Sequence, residues 1–358
     1  MDTNYAVAPG EYLAEWLEEE NITQQHVADR LGWSRKRVNE VVGGRAPVSA
    51  DAAIKLARVT GIPADSWLRF ETAYRADLAR LGETESLEAS SSLLSPALAK
   101  YLRTLDVTRA TKNSAAQLVS DFLTFHRCGT VAAYQDIVSD LYQGQFQLAT
   151  LKDSGNSVDP DLLMAWIRAG EMTESFEKAR TATYDEAALR SLLPELRHRV
   201  ASPDQSMMTD LAKSLVTVGV TLQVVTPPSP FPLHGLTRWV EARVPVIQQT
   251  GRRSTDGFIV WTLFHELGHI LNDPRGQTHF EFTTDKKRNT HAERAANDFA
   301  MKTLFEESEM QPFRGLDRDD DIAQAAREVG VSPGLAVFQM RRRCMLPYDR
   351  GHGLCVSL

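Results

Sequence analysis

The chain has 358 residues, of which 42% are hydrophobic and 24% are charged, and its formal net charge is −7. This length allows two or three domains, and the composition excludes collagen, a coiled coil and wholesale disorder. The acidic balance argues against a polycation that coats nucleic acid over its whole surface, while a local basic patch remains compatible with it.

The cysteines and the N-terminal residues indicate the cellular compartment. Cys128, Cys344 and Cys355 stand far apart without a CxxC pair, which fits neither a disulfide framework nor a cysteine zinc site. The first residues lack the basic and apolar regions of a signal peptide, and no apolar run reaches the length of about 18 residues that a membrane span needs. We therefore expect a cytoplasmic protein with no membrane partner.

The first 81 residues predict five short helices. Pro9 suits the first turn of the first helix, and the side chains that can cap the next three are Thr23, Ser34 and Ser49. A fifth helix is predicted over about 64–81. Helices this short, each ended by glycine or proline, predict a small all-α domain.

A polar segment and a helical region follow. Residues 83–96 are rich in Ser and Glu and have no periodic apolar face, so they predict a linker. Residues 97–205 predict more helices but contain no motif that indicates chemistry, so we interpret them as a scaffold or a sensor. These helices are predicted near 97–106, 113–126, 130–142, 160–169, 174–180 and 185–199.

The composition changes after about residue 206. Segments rich in β-branched residues at 219–226, 235–241 and 244–249 predict a small sheet. Helical patterns follow at about 256–271, 290–305 and, as a pair, 319–343. The predicted fold class is mainly α with a small β-sheet (α+β), divided into domains at 1–82 and 206–358, with the linker at 83–96 and the helical region at 97–205 between them.

Residues 265–269 form an HExxH motif within a helical pattern that follows the predicted strands. On a helix, His265 and His269 share a face, so both imidazoles can bind one cation. Glu266 lies about 100° further round the helix, where it can act as a base without binding the metal. Gly268 costs about 1 kcal/mol relative to alanine in a helix, which predicts a close backbone contact there.

A catalytic zinc needs a third protein ligand, and Glu293 is the best candidate. It lies 24 residues after His269 on a predicted helix, with Asn297 one turn later, where its amide oxygen can orient a histidine. The alternative is a surface carboxylate that pairs with Arg294 or Lys302. The competing ligands are His279, His291 and Asp298. Two histidines and a carboxylate suit Zn²⁺, and Mn²⁺ is also possible.

The run VPVIQQTGRRSTDGFIVWTLFHELGHIL followed by ERAANDFA resembles the ImmA/IrrE family of metallo-endopeptidases. In that family an HELGH helix precedes a helix with the pattern E-x-x-A-N/D-x-F-A, which Glu293 begins here. The resemblance covers about 206–340 and implies a zincin-like peptidase domain. It implies that His265, His269 and Glu293 hold the metal and that Glu266 is the base.

The same resemblance implies a substrate class, because such peptidases cut a repressor or an antitoxin protein. Two departures concern the substrate groove. Asp273 stands where many relatives have a further histidine, and residues 304–307 replace a Leu-Pro break. We expect the strand near 244–249 to hold an extended substrate by strand addition. The group that stabilises the oxyanion stays open among His234, His291 and Arg253.

The segment TQQHVADRLGWSRKRVNEVVGG has the pattern of a helix-turn-helix motif. Small Ala28 allows the two helices to approach, and Gly32 makes the turn. Five basic residues and one acid lie between Arg30 and Arg45, although the surrounding residues are acidic. Basic charge concentrated on one helix is typical of a DNA-binding surface. The apolar residues that lock the two helices are Val27, Leu31, Val38 and Val41.

Residues 9–81 resemble the HigA-type antitoxin branch of the Cro/repressor family, through PGEYLAEWLEE and LGWSRKRVNEVVGGRAPVSADAAIKLARVTGIPADSWL. This resemblance implies a homodimer on a palindromic double-stranded DNA operator. By the family pattern, the residues that face bases are Ser34, Arg35, Lys36 and Asn39, and those that contact phosphates are Gln24, Arg37 and Arg45. The pair at 319–343 looks similar, but we expect it to pack on the peptidase core.

These observations predict a DNA-binding transcriptional regulator with a zinc endopeptidase domain that cleaves a partner protein. The alternative is a non-cleaving antitoxin or repressor in which the metal is structural or vestigial. Glu266 discriminates between the two, because a structural metal site has no use for a base between its ligands.

Overall fold

A computed structural model describes residues 5–111, 114–144, 158–252, 255–282 and 291–358. These residues form helices and one small four-stranded sheet, which confirms the predicted α+β class. The chain divides into two compact units, one of residues 1–94 and 109–121 and one of residues 95–108 and 122–358. Among the described helices, none is both long enough and apolar enough to cross a membrane.

The first unit begins with five helices whose starts agree with the caps predicted from the sequence. Thr23, Ser34 and Ser49 each accept a hydrogen bond from a backbone N–H in the first turn of the helix that follows. Gly32 has a φ of 66°, which glycine adopts without the steric penalty of a side chain. The helices are α1 (Pro9–Glu19), α2 (Gln24–Leu31), α3 (Arg35–Val42), α4 (Ala50–Thr60) and α5 (Ala64–Ala89).

A small apolar core holds α2 and α3 together. Ala28 and Val38 are fully buried, and the backbone N–H of Trp33 donates to the carbonyl of Ala28 at 2.9 Å, which closes the turn. The core also contains Val27, Leu31 and Val41, together with side chains from α1, α4 and α5. The predicted locking residues of the helix-turn-helix motif are therefore buried as a group.

Helix α5 extends beyond its predicted end near residue 81, and this prediction was wrong. It continues to Ala89, and a 3₁₀ turn at Ser91–Leu93 follows before the next helix starts at Pro96. Residues 82–89 contain no proline, and three glutamates, a leucine and an alanine favour the helix, so it continues past Gly82. That residues 83–96 link two domains stays a prediction.

The helices of the middle region agree with their predicted positions to within about two residues, the usual uncertainty of helix ends. They are α6 (Pro96–Thr104), α7 (Ala115–His126), α8 (Val131–Gly144), α9 (Pro160–Glu171), α10 (Glu174–Thr181) and α11 (Glu186–Val200). The next helix, α12 (Met207–Thr217), was not predicted from the sequence.

The sheet has the strand order β1-β3-β2-β4. Strand β3 pairs with β1 in parallel and with β2 in antiparallel orientation, and β4 pairs with β2 at one edge. The sequence did not predict β4, because its four residues are the shortest run in which alternation of polar and apolar side chains can indicate a strand. The strands are β1 (Thr221–Val224), β2 (Leu233–Val240), β3 (Val244–Gln249) and β4 (His279–Phe282).

Four further helices complete the second unit. Both members of the C-terminal pair bury their apolar faces in the same core as the HExxH helix, as predicted. The helices are α13 (Asp256–Asn272), α14 (His291–Leu304), α15 (Asp319–Val329) and α16 (Pro333–Arg342), with 3₁₀ turns at Ser308–Phe313 and His352–Leu354.

One apolar core crosses the boundary predicted at 205/206. It joins Tyr184 and Leu196 in the middle region to Met207, to Phe264 on α13 and to Leu335 on α16. The packing therefore has no break at this boundary, because α11 and α12 bury their apolar faces against the sheet and α13. The remaining domain limits stay predictions.

Buried amides attach α9 to the sheet. The Gln248 side chain donates to the carbonyl oxygen of Trp166 at 2.7 Å and accepts from Gln223 at 2.9 Å. The Trp166 indole in turn donates to the carbonyl oxygen of Val225 at 3.0 Å. Because these groups are buried, losing one partner leaves the other without a hydrogen bond.

We expect Gln248→Leu to destabilise the protein by about 1–3 kcal/mol, because it leaves the buried Gln223 amide without its acceptor. Urea denaturation measures this change. The control is Gln324→Leu on the exposed surface of α15, which should change stability by less than about 0.5 kcal/mol. Equal effects of the two substitutions would contradict a role for the buried amides.

Candidate metal centre and nucleic-acid interface

Helix α13 carries the HExxH motif through the interior of the second unit. All of its residues except Phe258 and Asn272 are buried, because the helix is apolar on every side. His265, Glu266 and His269 are 5%, 1% and 2% exposed. Polar side chains buried to this extent need partners, so neighbouring elements decide what these residues can do.

The main neighbour is α14, and the two helices approach most closely at Gly268. A Cβ atom at this position would lie 3.0 Å from Cα and 3.2 Å from the carbonyl oxygen of Ala296, tighter than ordinary contact. This is the close backbone contact that Gly268 predicted. Because the backbones are this near, Glu293 on α14 reaches the histidine pair.

The three predicted ligands lie together. Nε2 of His265 is 3.0 Å from Nε2 of His269, and the Glu293 carboxylate lies 3.4 Å from the first and 3.8 Å from the second. Donor atoms of one tetrahedral zinc, at about 2.0 Å from the ion, are roughly 3.3 Å apart. The observed distances bracket that value, so this donor set suits a small divalent cation.

A buried carboxylate oxygen beside the donor set also fits a cation nearby. Among the described residues, Oε2 of Glu266 has no hydrogen-bond partner. Burial alone would lower the pKa of His265, but the hydrogen bond to Glu293 and the charges of Glu266 and Glu281 raise it instead. The centre therefore has an excess of negative charge, which a bound cation would offset.

Asp273 makes the orienting contact that the sequence assigned to Asn297. Its carboxylate lies 2.7 Å from Nδ1 of His269 and 3.2 Å from Nε2 of His279. The amide oxygen of Asn297 accepts from Arg342 instead, at 3.2 Å. Asp273 thus holds the ring of His269 in place, because a carboxylate bonded to one ring nitrogen fixes the orientation of the imidazole.

A pocket of about 160 Å³ opens beside the donor set, and its lining includes two charged residues that were not predicted, Glu281 and Arg342. Glu281 on β4 lies near His265 and Glu266, and burial followed by the charge of Glu266 raises its pKa to about 7. The Arg342 guanidinium stacks on the Trp261 ring, 4.2 Å from its centre. Neither residue belongs to a motif, and only the tertiary fold brings them here.

None of the described alternative ligands and oxyanion candidates lines the pocket, although His279 lies next to His269. His291 is exposed at the start of α14, and His234 packs edge-on against Phe258 at 4.9 Å. Neither of them lines the pocket, and Arg253 lies outside the described residues. Among the described residues, Asp298 joins no cluster able to hold a metal, whereas His279 forms a second one with His269 and Asp273.

The strand that was predicted to hold a substrate has no free edge in the structure. Strand β3 has β1 on one side and β2 on the other, so it has no free edge to which a peptide can add. The prediction for 244–249 was therefore wrong. In the described part of the sheet, β4 is the edge strand that lines the pocket, through Phe280, Glu281 and Phe282.

The predicted DNA-contacting residues lie on and around α3. Arg35, Lys36 and Asn39 are exposed, and Lys36 pairs with Glu40 at 3.8 Å. Ser34, Arg37 and Arg45 are exposed as well, whereas Gln24 is half-buried. The exposed face of α3 is thus basic and polar, while Val38 and Val41 on its other face are buried.

Two of these residues also have a local structural role. The Ser34 hydroxyl accepts from the backbone N–H of Arg37 at 3.2 Å and caps α3. The Arg37 guanidinium lies 4.5 Å from the centre of the Trp33 ring, which holds it near the turn.

Comparisons with known proteins assign both regions. Residues 13–67 match the helix-turn-helix family, and residues 259–341 match the IrrE N-terminal-like domain family of peptidases. The chain is similar to virulence-associated protein I of Dichelobacter nodosus, with 37% identity over 75 residues that cover 21% of this chain and 69% of that protein. It is also similar to a solved structure described as Pseudomonas aeruginosa antitoxin HigA with higBA promoter, at 30% identity and a TM-score of 0.22, covering 24% of this chain and 94% of the other.

The chain therefore joins a DNA-binding helix-turn-helix domain to a metallopeptidase-like domain. It belongs to the helix-turn-helix family through its N-terminal region, and residues 259–341 of its C-terminal region match the IrrE N-terminal-like domain family. Both resemblances found in the sequence are thus confirmed.

We expect Asp273→Ala to lower metal affinity by about 10–100-fold, because His269 loses the carboxylate that orients it. His265→Ala and Glu293→Ala should remove most of the binding, since each takes away a donor. Competition with a chromophoric chelator measures the affinity.

The matched control is Asp298→Ala, an exposed carboxylate on α14 that should leave the affinity unchanged. Asp273→Ala with wild-type affinity would show that the contact behind His269 is not needed.

Proposed function

We propose that this protein is a DNA-binding regulator whose C-terminal region is a metal-dependent endopeptidase that cleaves a partner protein, such as a repressor or an antitoxin. His265, His269 and Glu293 would hold Zn²⁺, with Mn²⁺ as the alternative. The observation that carries this proposal is the buried carboxylate of Glu266, which lies next to the donor set with one oxygen unpaired among the described residues.

The residues of the centre divide into groups that hold the metal and groups that act on the substrate. The bound ion would lower the pKa of water and polarise the scissile carbonyl. Glu266 would take the proton from the attacking water and return it to the leaving amine. Arg342, which lines the same pocket, is the cation best placed to stabilise the oxyanion.

The edge strand β4 supports a path for the substrate. An extended peptide can pair with an exposed strand edge through its backbone, without a particular sequence. Because Phe280, Glu281 and Phe282 line the pocket, a peptide on this edge would pass beside the donor set. This arrangement suits an endopeptidase, which must accept the middle of a chain.

We expect Glu266→Gln to keep metal affinity near that of the wild type and to lower the rate of cleavage by about 10²–10⁴-fold, because the amide cannot accept a proton. The measurement incubates the metal-loaded protein with a library of peptides and identifies the new N-termini by mass spectrometry.

Glu328→Gln, an exposed carboxylate on α15, is the control and should cleave like the wild type. If Glu266→Gln retains the full cellular role of the protein, cleavage is not that role. The function would then be that of a non-cleaving antitoxin or repressor with a structural metal.

For DNA, we propose that α3 enters the major groove of a palindromic operator bound by a homodimer. The bases would be contacted by Ser34, Arg35, Lys36 and Asn39, and the phosphates by Gln24, Arg37 and Arg45. The exposed basic face of α3 supports this, since its opposite face is buried against α2. Two-fold symmetry would place two copies of α3 about one helical turn of DNA apart.

We expect Arg35→Ala to weaken binding to an operator selected from random double-stranded DNA by about 1–3 kcal/mol and to relax its sequence preference. Arg45→Ala should weaken binding to all sequences alike. It should also reduce the slope of log affinity against log salt concentration by about one. Fluorescence anisotropy at several salt concentrations measures both effects.

Lys55→Ala on α4 changes an exposed lysine outside α3 and serves as the control. A loss of affinity with Lys55→Ala as large as with Arg35→Ala would place the DNA on another surface.

A further inference from the structure

The second unit contains a larger cavity away from the metal centre. Its volume is about 570 Å³, against about 160 Å³ for the pocket beside the HExxH helix, and the two share no lining residue. The walls come from the ends of α7, α9 and α10 and from the β2–β3 hairpin. This size is typical of a site for a small molecule.

Arginines dominate the polar lining. Arg168 and Glu171 pair at 3.0 Å, and the nearly fully buried Arg238 pairs with the same carboxylate at 2.8 Å, so Glu171 is already shared by two guanidinium groups. The remaining arginines of the lining are Arg127, Arg180 and Arg243. All three are exposed, and among the described residues none of them forms an ion pair. The other carboxylates of the lining, Glu177 and Glu241, leave an excess of positive charge.

The backbone is strained where two of these side chains enter the cavity. Arg127 has a φ of 56° at the position after α7, where helices often have glycine. The backbone N–H of Cys128 donates to the carbonyl oxygen of Leu123 at 2.9 Å and closes this turn. In the β2–β3 turn, Glu241 and Ala242 have φ values of 52° and 53°, a conformation that favours asparagine and glycine. Such strain persists most often at binding sites.

A fixed histidine completes the wall next to Arg127. The His126 ring packs against Phe122 at 4.7 Å and Tyr134 at 4.8 Å, so it cannot turn freely. Its Nε2 is buried and has no hydrogen-bond partner among the described residues. Burial, followed by the charge of Arg168, lowers its pKa to about 3, so the ring is neutral and can donate one hydrogen bond.

We propose that this cavity is a binding site for a small phosphate-bearing molecule, held by the guanidinium groups of Arg127, Arg180 and Arg243. The planar fork of arginine matches the geometry of phosphate oxygens, and several arginines without carboxylate partners suit a multiply charged anion better than a single carboxylate. Phe176, Val240 and Val244 provide an apolar wall for the remainder of the ligand. The middle helices would then act as a sensor, which is one of the two roles that their sequence allowed.

The test is isothermal titration calorimetry of the full-length protein with pyrophosphate. Citrate, a carboxylate anion of similar charge, is the comparison ligand. We expect saturable binding of pyrophosphate, weakened at least tenfold in Arg127→Ala, Arg180→Ala and Arg243→Ala, and weaker binding of citrate. The matched control is Arg327→Ala on α15, an exposed arginine outside the cavity.

The basic face of α3 is a competing site for phosphate, so Arg35→Ala belongs in the same series. Binding that is lost with Arg35→Ala but kept in the three cavity variants would overturn the proposal, as would the absence of saturable binding.

Arg127→Gly separates a ligand-binding role from a structural one. Glycine adopts a positive φ without strain, so this variant should melt at the same or a higher temperature than the wild type when no ligand is present. It should also lose the rise in melting temperature that pyrophosphate causes in the wild type. A variant that melts lower without ligand, and still responds fully to pyrophosphate, would overturn the proposal.

Discussion

The close approach of α13 and α14 at Gly268 is the contact on which the candidate metal centre depends. Because Gly268 has no side chain, the backbone of Ala296 comes near enough for Glu293 to reach the two histidines of α13. Neither helix could form the centre alone, since the HExxH motif supplies two donors and the third lies 24 residues further on. If the two helices were further apart, the same three donor residues would be present in the sequence but could not reach one another.

The burial of α13 gives this contact its rigidity. The helix is covered by β2, by α14 and by the C-terminal helix α16, while α11 of the middle region and the following helix α12 extend the same apolar core. The region without recognisable chemistry is thus part of the support for the centre. It also carries the arginine-lined cavity, so one set of helices both packs the sheet and forms a separate polar pocket.

Polar contacts around the candidate centre come from side chains outside the HExxH motif. The Asp273 carboxylate lies behind the ring of His269. Arg342 reaches the pocket from the end of α16, held by the face of Trp261 and by Asn297. Neither Asp273 nor Arg342 belongs to the HExxH motif. Both act on residues of the motif, through their orientation or their charge.

The sequence by itself determined the helix-turn-helix region, the caps of its helices, the HExxH motif and Glu293 as the candidate third ligand, because these depend on local spacing and on a specific family pattern. Only the tertiary structure decided that β4 is an edge strand, that Asp273 orients His269, and that Glu281 and Arg342 line the pocket. These contacts involve a strand too short to be recognised from its sequence, or residues that belong to no motif. Helix periodicity and strand alternation report only which face of an element is buried, whereas the packing of α13, α14, α16 and β4 decides what that face meets.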